Sequence, residues 1–206
     1  MDISVNLVKP VTSPRIKVLF LGYTPKETRL IEGLIELHCE VWHTEEQINS
    51  TDGYDLVISY GFKHILKKDV IKNSTAPIIN LHISYLPWNR GAHPNFWSFY
   101  DCTPSGVTIH LIDEGLDTGP IIYQRYVNFN KEENTYAKTY KRLIREIEEL
   151  FMGHVNEIIS MKFVALPQRR KGTYHSLADL PQEFEGWNAE ISKEIVRLDI
   201  ILIKTK

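Results

Sequence analysis

Asn80 and His82 stand two residues apart in the segment 77–82, PIINLH. That apolar run reads as a strand, and alternate strand residues point to one face. Both side chains can therefore reach the same place. An amide N–H beside an imidazole suits acyl transfer. The amide stabilises an oxygen that gains negative charge, and the imidazole handles a proton. The plain alternative is a turn-capping asparagine and a satisfied edge histidine. A second group, Asp113, Glu114 and Asp117, lies in 111–120, LIDEGLDTGP. A carboxylate there can orient an imidazole and raise its pKa. The two glycines let the backbone turn sharply. An ordinary polar connection between strands would look the same.

Two further clusters could bind rather than react. Tyr60, Gly61 and Phe62, with Ile65 and Leu66 behind them, could wall a flat heterocycle or pack as core beneath a loop. Asn89, Arg90, Gly91, His93 and Asn95 form a polar patch in an aromatic-rich loop that also holds Trp88. An arginine there can pair with phosphate, or it can be a solvated loop residue. Trp88, Trp97, Tyr174 and Trp187 could stack on a base, although large aromatics more often build cores. Of these, the GTYH stretch at 172–175 is the preferred surface candidate. His38, His43 and His110 read as structural or exposed. His82, His93 and His110 match no zinc spacing, so no metal site is expected.

The elements that must position these groups follow from the apolar pattern. Residues 16–22, IKVLFLG, form a continuous apolar run ending in glycine, which reads as a strand buried on both faces. Thr24, Pro25 and Glu27 then look like the cap, first residue and capping-box partner of a helix. Leu30, Ile31, Leu34 and Ile35 are its buried stripe. Strands are predicted at 40–43, 54–59 and 77–82, with a short helix at 67–73. This order is that of an α/β doubly wound sheet, which places Tyr60, Asn80 and His82 at the C-terminal edge where such sheets bind ligands. Residues 86–104 should be loop and then a short helix. Strands at 106–112 and 120–129 follow, then one long helix over 134–159. Its predicted buried face is Ala137, Tyr140, Ile144, Ile147, Phe151, Val155 and Ile158. A terminal helix is expected near 187–198. The first strand–helix turn, LGYTPKE, lacks the G-x-G-x-x-G of dinucleotide sites.

Composition sets the outer bounds. At 206 residues and about 150 per domain, one domain with an appendage is expected. The boundaries read as an extended arm over 1–14, a catalytic domain over 15–160 and a C-terminal extension over 161–206. A hydrophobic fraction of 43% excludes a disordered chain. Lys and Arg number 24 against 26 Asp and Glu, a net charge of −2 that argues against a nucleic-acid partner. The start MDISVNLVKPVTSPRIK is no signal peptide, and no apolar stretch is long enough for a membrane helix. Cys39 and Cys102 are expected to be buried thiols in a cytoplasmic, reducing setting.

Taken together, two segments resemble a known family. Residues 80–98, NLHISYLPWNRGAHPNFWS, and 106–122, GVTIHLIDEGLDTGPII, resemble the N10-formyltetrahydrofolate-dependent formyltransferases. The chain keeps that family's Asn-x-His-x-Ser-x-Leu-Pro-x-x-Arg-Gly, Gly-Val-Thr and Asp-x-Gly-x-Asp-x-Gly. The resemblance implies a Rossmann-like, mostly parallel sheet with a short C-terminal extension. It implies that Asn80, His82 and Asp117 are the catalytic triad; in the mechanism this suggests, Asn80 and protonated His82 stabilise the oxyanion, and either His82 or Asp117 acts as the base. It places the pterin of N10-formyltetrahydrofolate, the formyl donor, against Tyr60, Gly61, Phe62, Ile65 and Leu66. The facing wall would be Ile112, Asp113, Glu114, Gly115 and Leu116. The nearest subgroup in appearance is the sugar N-formyltransferases, which act on nucleotide-linked amino sugars, often a dTDP-4-amino-4,6-dideoxyhexose for lipopolysaccharide O-antigen. Trp88, Asn89, Arg90, Gly91, His93 and Asn95 are then the expected substrate contacts. The tRNA-, glycinamide ribonucleotide- and hydrolase-type members fit less well, because a large RNA domain, a glycine-rich phosphate loop and an N-terminal regulatory domain are not seen. A non-catalytic binding module is the remaining class. The extension is expected either to cover the site or to make a homodimer interface.

Overall fold

The computed structural model describes residues 4–204. Residues 1–3 of the expected arm and 205–206 of the expected extension lie outside the described residues. The remainder of the arm is not simply extended. Asn6–Leu7 (β1) pairs antiparallel with Glu40–Thr44 (β3) and caps one edge of the main sheet. Next to β3 runs Lys17–Gly22 (β2), and beside it Leu56–Tyr60 (β4) and Ile78–His82 (β5), all parallel. Gly106–Leu111 (β7) then pairs antiparallel with β5, and Ile121–Tyr126 (β8) antiparallel with β7. The sheet is therefore mixed, with a four-stranded parallel centre, in the order β1-β3-β2-β4-β5-β7-β8.

β4 is buried throughout, as expected for a strand covered on both faces. On one face, Val18, Phe20, Ile58, Ile79, Leu81 and Ile109 pack against Leu30–Glu36 (α1) and Tyr136–Gly153 (α4). On the other, Leu19, Leu21, Val57 and Ile78 pack under Lys68–Asn73 (α2). Ile78, Asn80 and His82 alternate on this second face. A third cluster joins Pro94–Tyr100 (α3) to Ile191–Lys204 (α6) through Phe96, Trp97, Tyr136, Ile191 and Leu198. No helix of the described residues is long and apolar enough to cross a membrane.

Several sequence expectations change in detail. Thr24–Glu27 is a separate turn, not the start of α1. The Thr24 N–H and hydroxyl both donate to Glu27 Oε2, at 2.9 and 2.8 Å. α1 begins at Leu30 because Thr28 Oγ1 accepts the Leu30 N–H (3.2 Å) and donates to Glu148 Oε1 of α4 (2.7 Å). The predicted stripe of α1 is buried. The single helix over 134–159 is two: α4 ends at Gly153, and Val155–Ile159 (α5) follows a break at His154. The core face of α4 is also rotated, running through Tyr136, Thr139, Leu143, Ile147, Leu150 and Phe151. Tyr140 is exposed, and with Ile144 it faces the cavity described below. Cys39 is buried, but Cys102 is exposed.

Gly22 ends β2 at φ +107°, where a Cβ would lie 2.2 Å from Tyr60 O and 2.6 Å from Phe62 N. Both the backbone conformation and the space demand glycine. Gly22→Ala is expected to lower stability by about 2 kcal/mol or more, checked by urea unfolding. A loss under about 0.5 kcal/mol would mean the 60–62 loop gives way freely.

Candidate active site

β5 and β7 build the polar centre. The cross-strand partner of Asn80 is His110, and that of His82 is Thr108. Residues directly opposite on antiparallel strands share a face, so His110 joins Asn80 and His82. The connection between β7 and β8 then folds over this edge and brings in Asp117. Asp117 has φ +53°, a left-handed conformation that aspartate tolerates better than most side chains.

The distances define a compact cluster. Asn80 Nδ2 donates to Asp117 Oδ1 (3.3 Å) and contacts His110 Nε2 (3.2 Å). His110 Nδ1 donates to Leu111 O (2.8 Å). A neutral His110 therefore presents a lone pair at Nε2, which accepts the second Asn80 proton. The amide orientation is fixed by these two acceptors. Asp117 Oδ2 accepts the Gly91 N–H (2.8 Å) and lies 3.6 Å from His82 Nε2. His82 Nε2 also faces Asn89 O at 3.4 Å. The His82, His110 and Asp117 side chains are only 12%, 2% and 10% exposed, so water screens these interactions little.

Charge follows from that burial. Burial pushes the His82 imidazole below its ordinary value of 6.5, further than Asp117 pulls it up. The shift favours the neutral His82 imidazole in the free protein at neutral pH. Burial would raise the Asp117 carboxyl. Its interactions with His82, with His110 and with the Gly91 N–H outweigh it and hold the carboxyl below the usual range. The site holds an ionised carboxylate beside a neutral imidazole and a fixed amide donor. Such a set can take a proton from an incoming group, stabilise the resulting cation and donate to an oxygen that gains charge.

A cavity of about 710 Å³ opens on this cluster. Asn80, His82 and Asp117 lie in its lining. So do Tyr60, Gly61, Phe62, Ile65, Leu66, Ile112, Asp113, Glu114, Gly115 and Leu116, every residue expected to wall a heterocycle. Leu66 is buried in the core cluster under this wall, and Phe62 and Ile112 pack against the same cluster while lining the cavity. Gly61 sits at φ +69° against the Tyr23 ring, where a Cβ would lie 2.6 Å away. Gly61→Ala is expected to distort that wall. It should raise the KM or Kd for a flat ligand by about tenfold with little effect on the proton chemistry, checked by titration calorimetry. An unchanged Kd would remove the loop from the binding wall.

The expected substrate patch is placed differently. Of it, only Gly91 lines the cavity, in Arg90–Gly91 (β6). Asn89 is buried and bonds Thr103 and Thr173. Asn95 is buried, with its amide donating to Tyr136 O (2.9 Å). Arg90 Nη2 donates to Gln168 Oε1 (2.7 Å). His93 packs against Trp187, centroids 5.3 Å apart. Trp88 is half-buried outside the lining, and Trp97 is core. Sequence reasoning missed His110, which sits in an apolar-looking strand; the extension, expected to cover the site or to make a dimer interface, reaches the cavity. Tyr174–His175 (β9) pairs parallel with β6, and residues 174–177 line the cavity. His175 stacks flat on Trp97 (3.7 Å) and pairs with Asp101 (2.7 Å).

The chain is similar to several known proteins. The methionyl-tRNA formyltransferase of Thermodesulfovibrio yellowstonii is 35% identical over 142 residues, 68% of this chain and 45% of that protein. The dTDP-4-amino-4,6-dideoxyglucose formyltransferase of Mycobacterium tuberculosis is 31% identical over 144 residues, 70% of this chain and 59% of that protein. The chain thus spans about half the length of these curated relatives. Among solved structures, the formyltransferase PseJ from Anoxybacillus kamchatkensis superposes with a TM-score of 0.78 at 40% identity, covering 86% of this chain and 96% of that one. PseJ was crystallised with UDP-4,6-dideoxy-4-formamido-L-AltNAc and tetrahydrofolate. A sugar N-formyltransferase from Shewanella shares the fold, with a TM-score of 0.71 at 22% identity. The formyl transferase family model matches residues 43–155, from β3 through the whole polar cluster to the start of α5. With more than half of its 206 residues matched and the cluster inside the match, this chain is a member of the formyl transferase family.

Proposed function

We propose that the chain transfers a formyl group from N10-formyltetrahydrofolate to the amine of a nucleotide-linked amino sugar. The observation that carries this reading is the convergence of Asn80, His82 and Asp117 on one cavity whose adjoining slot suits a pterin ring. The sugar-nucleotide part is supported by PseJ, with its bound UDP-sugar and tetrahydrofolate, and by the dTDP-sugar enzyme of M. tuberculosis. A pyrimidine nucleotide is common to both. A dTDP- or UDP-linked 4-amino-4,6-dideoxy sugar destined for surface polysaccharide is the acceptor class this favours.

The folate supplies an acyl group one carbon long, already activated on nitrogen. The chain's residues do the rest. Tyr60–Leu66 and 112–116 hold the flat donor and keep water from it. Asn80 Nδ2 turns the N–H that points to His110 Nε2 at 3.2 Å to the formyl oxygen as that oxygen gains charge. Neutral His82 takes the proton lost by the amine as it bonds to the formyl carbon, and gives it to N10 as the formyl C–N10 bond breaks, which releases tetrahydrofolate and restores the neutral imidazole. Ionised Asp117, 3.6 Å from His82 Nε2, stabilises the imidazolium so formed.

The test is a panel of UDP- and dTDP-linked amino sugars incubated with the donor. Tetrahydrofolate release that depends on a primary amine is expected. Full-rate donor consumption without any amine would make the chain a hydrolase instead. A pH profile is a second check. Because burial lowers His82 and its partners lower Asp117, the rate is expected to hold flat from pH 8 to about 6.5. A fall at pH 7 that persists once the titration of the acceptor amine is divided out would mean that His82 is protonated in the working range.

A further inference from the structure

We infer that Gln168, in the segment after the family match, is a positioning residue that holds Asp117 in its working conformation. This inference rests on the proposed role of Asp117. The left-handed backbone of Asp117 is one that a side chain adopts at a cost, so neighbouring bonds must hold it. Gln168 Nε2 donates to Asp117 O (2.9 Å) and to Gly119 O (2.8 Å), spanning the turn with one amide. Its Oε1 accepts from Arg90 Nη2 (2.7 Å). Arg90 adjoins Gly91, whose N–H binds Asp117 Oδ2. The contacts close a ring: the Asp117 carbonyl, Gln168, Arg90, Gly91, and the Asp117 carboxylate. Both amide protons and the amide oxygen of Gln168 are used in it.

The segment carrying Gln168 is itself registered from both sides. Leu166 exchanges both backbone hydrogen bonds with Ile121, each at 2.8 Å, which sets Gln168 beside the turn. Thr173 O accepts the Arg90 N–H (3.1 Å), and Thr173 Oγ1 accepts the Asn89 N–H (2.8 Å). Gly172 lies so close to Pro87 that a Cβ would be 1.7 Å from its carbonyl oxygen. The extension thus works as a strap over 87–92, with Gln168 as its point of contact with Asp117.

The test compares wild type with Gln168→Met, which removes the amide at similar length, and Gln168→Ala. The groups that face Asp117 are His82 and Asn80 from β5, His110 from β7 and the Gly91 N–H. Loosening the turn weakens all four contacts. The carboxyl 13C titration of Asp117 is then expected to move to higher pH, by about one unit. The kcat should fall by about 10²-fold, with the KM for the folate donor little changed. A folded variant whose Asp117 titration does not move overturns the inference, whatever its activity. So does a kcat within about threefold of wild type. If neither variant folds, Gln168 serves folding only and the inference fails. The titration reads Asp117 directly, so it decides on Gln168 even if the wild-type chain transfers no formyl group, an outcome that would sink the proposed function alone.

Discussion

Asn80→Ala is expected to lower formyl transfer by about 10²–10³-fold, the usual cost of one oxyanion donor. Asn80→Asp should cost more. The amide now donates one proton to Asp117 Oδ1 at 3.3 Å and the other toward His110 Nε2 at 3.2 Å. Alanine leaves both acceptors without that donor but adds no charge. Aspartate puts a second carboxylate against the first. Two such groups cannot both stay ionised, so one would bind a proton and the pair would no longer stabilise a cation on His82. The measurement is single-turnover transfer with saturating donor and acceptor, with circular dichroism to show that both variants fold. Either variant within tenfold of wild type would remove Asn80 from the reaction. An aspartate variant more active than alanine would reverse the assignment of the amide orientation.

The ordering of these effects depends on contacts that the sequence showed unevenly. Asn80 and His82 are legible because both sit on one strand, where alternation alone puts them on one face. The parallel centre is legible for a similar reason, since doubly covered strands such as 56–60 carry unbroken apolar runs. His110 is hidden. Within GVTIHLI it looks like a lone polar residue, and only the antiparallel register of β7 against β5 sets it opposite Asn80. The polar loop 88–95 misleads in the other direction. Asn89 and Asn95 are residue types that bind ligands, yet their partners Thr103, Thr173 and Tyr136 lie far along the chain and take up their bonds inside the protein. The predicted face of the 134–159 segment holds at Ile147, Phe151, Val155 and Ile158, which are core, and fails at Tyr140, which is apolar at helical spacing but exposed at the cavity. Asp117 came from the family resemblance; its local sequence alone reads equally well as a turn.

Asp117→Asn is expected to lower kcat by about 10⁴-fold, the scale seen when a carboxylate that supports a catalytic histidine is neutralised. The substitution isolates charge from shape. Asparagine tolerates the left-handed backbone at φ +53° as well as aspartate does, so the turn should persist. Its oxygen can still accept the Gly91 N–H, now at 2.8 Å from Oδ2. Its NH₂ group would then face the cluster and compete with Asn80 for the lone pair on His110 Nε2. It would also offer His82 no countercharge. Since Asp117, with the Asn89 carbonyl behind it, raises His82 against burial, its loss pushes the imidazole further down and makes it a weaker base. The pH profile should therefore show a plateau about 10⁴ lower, with its acid limb moved to lower pH. A variant within tenfold of wild type would leave His82 working without Asp117. An acid limb that moved upward would mean that the limb belongs to some group other than His82.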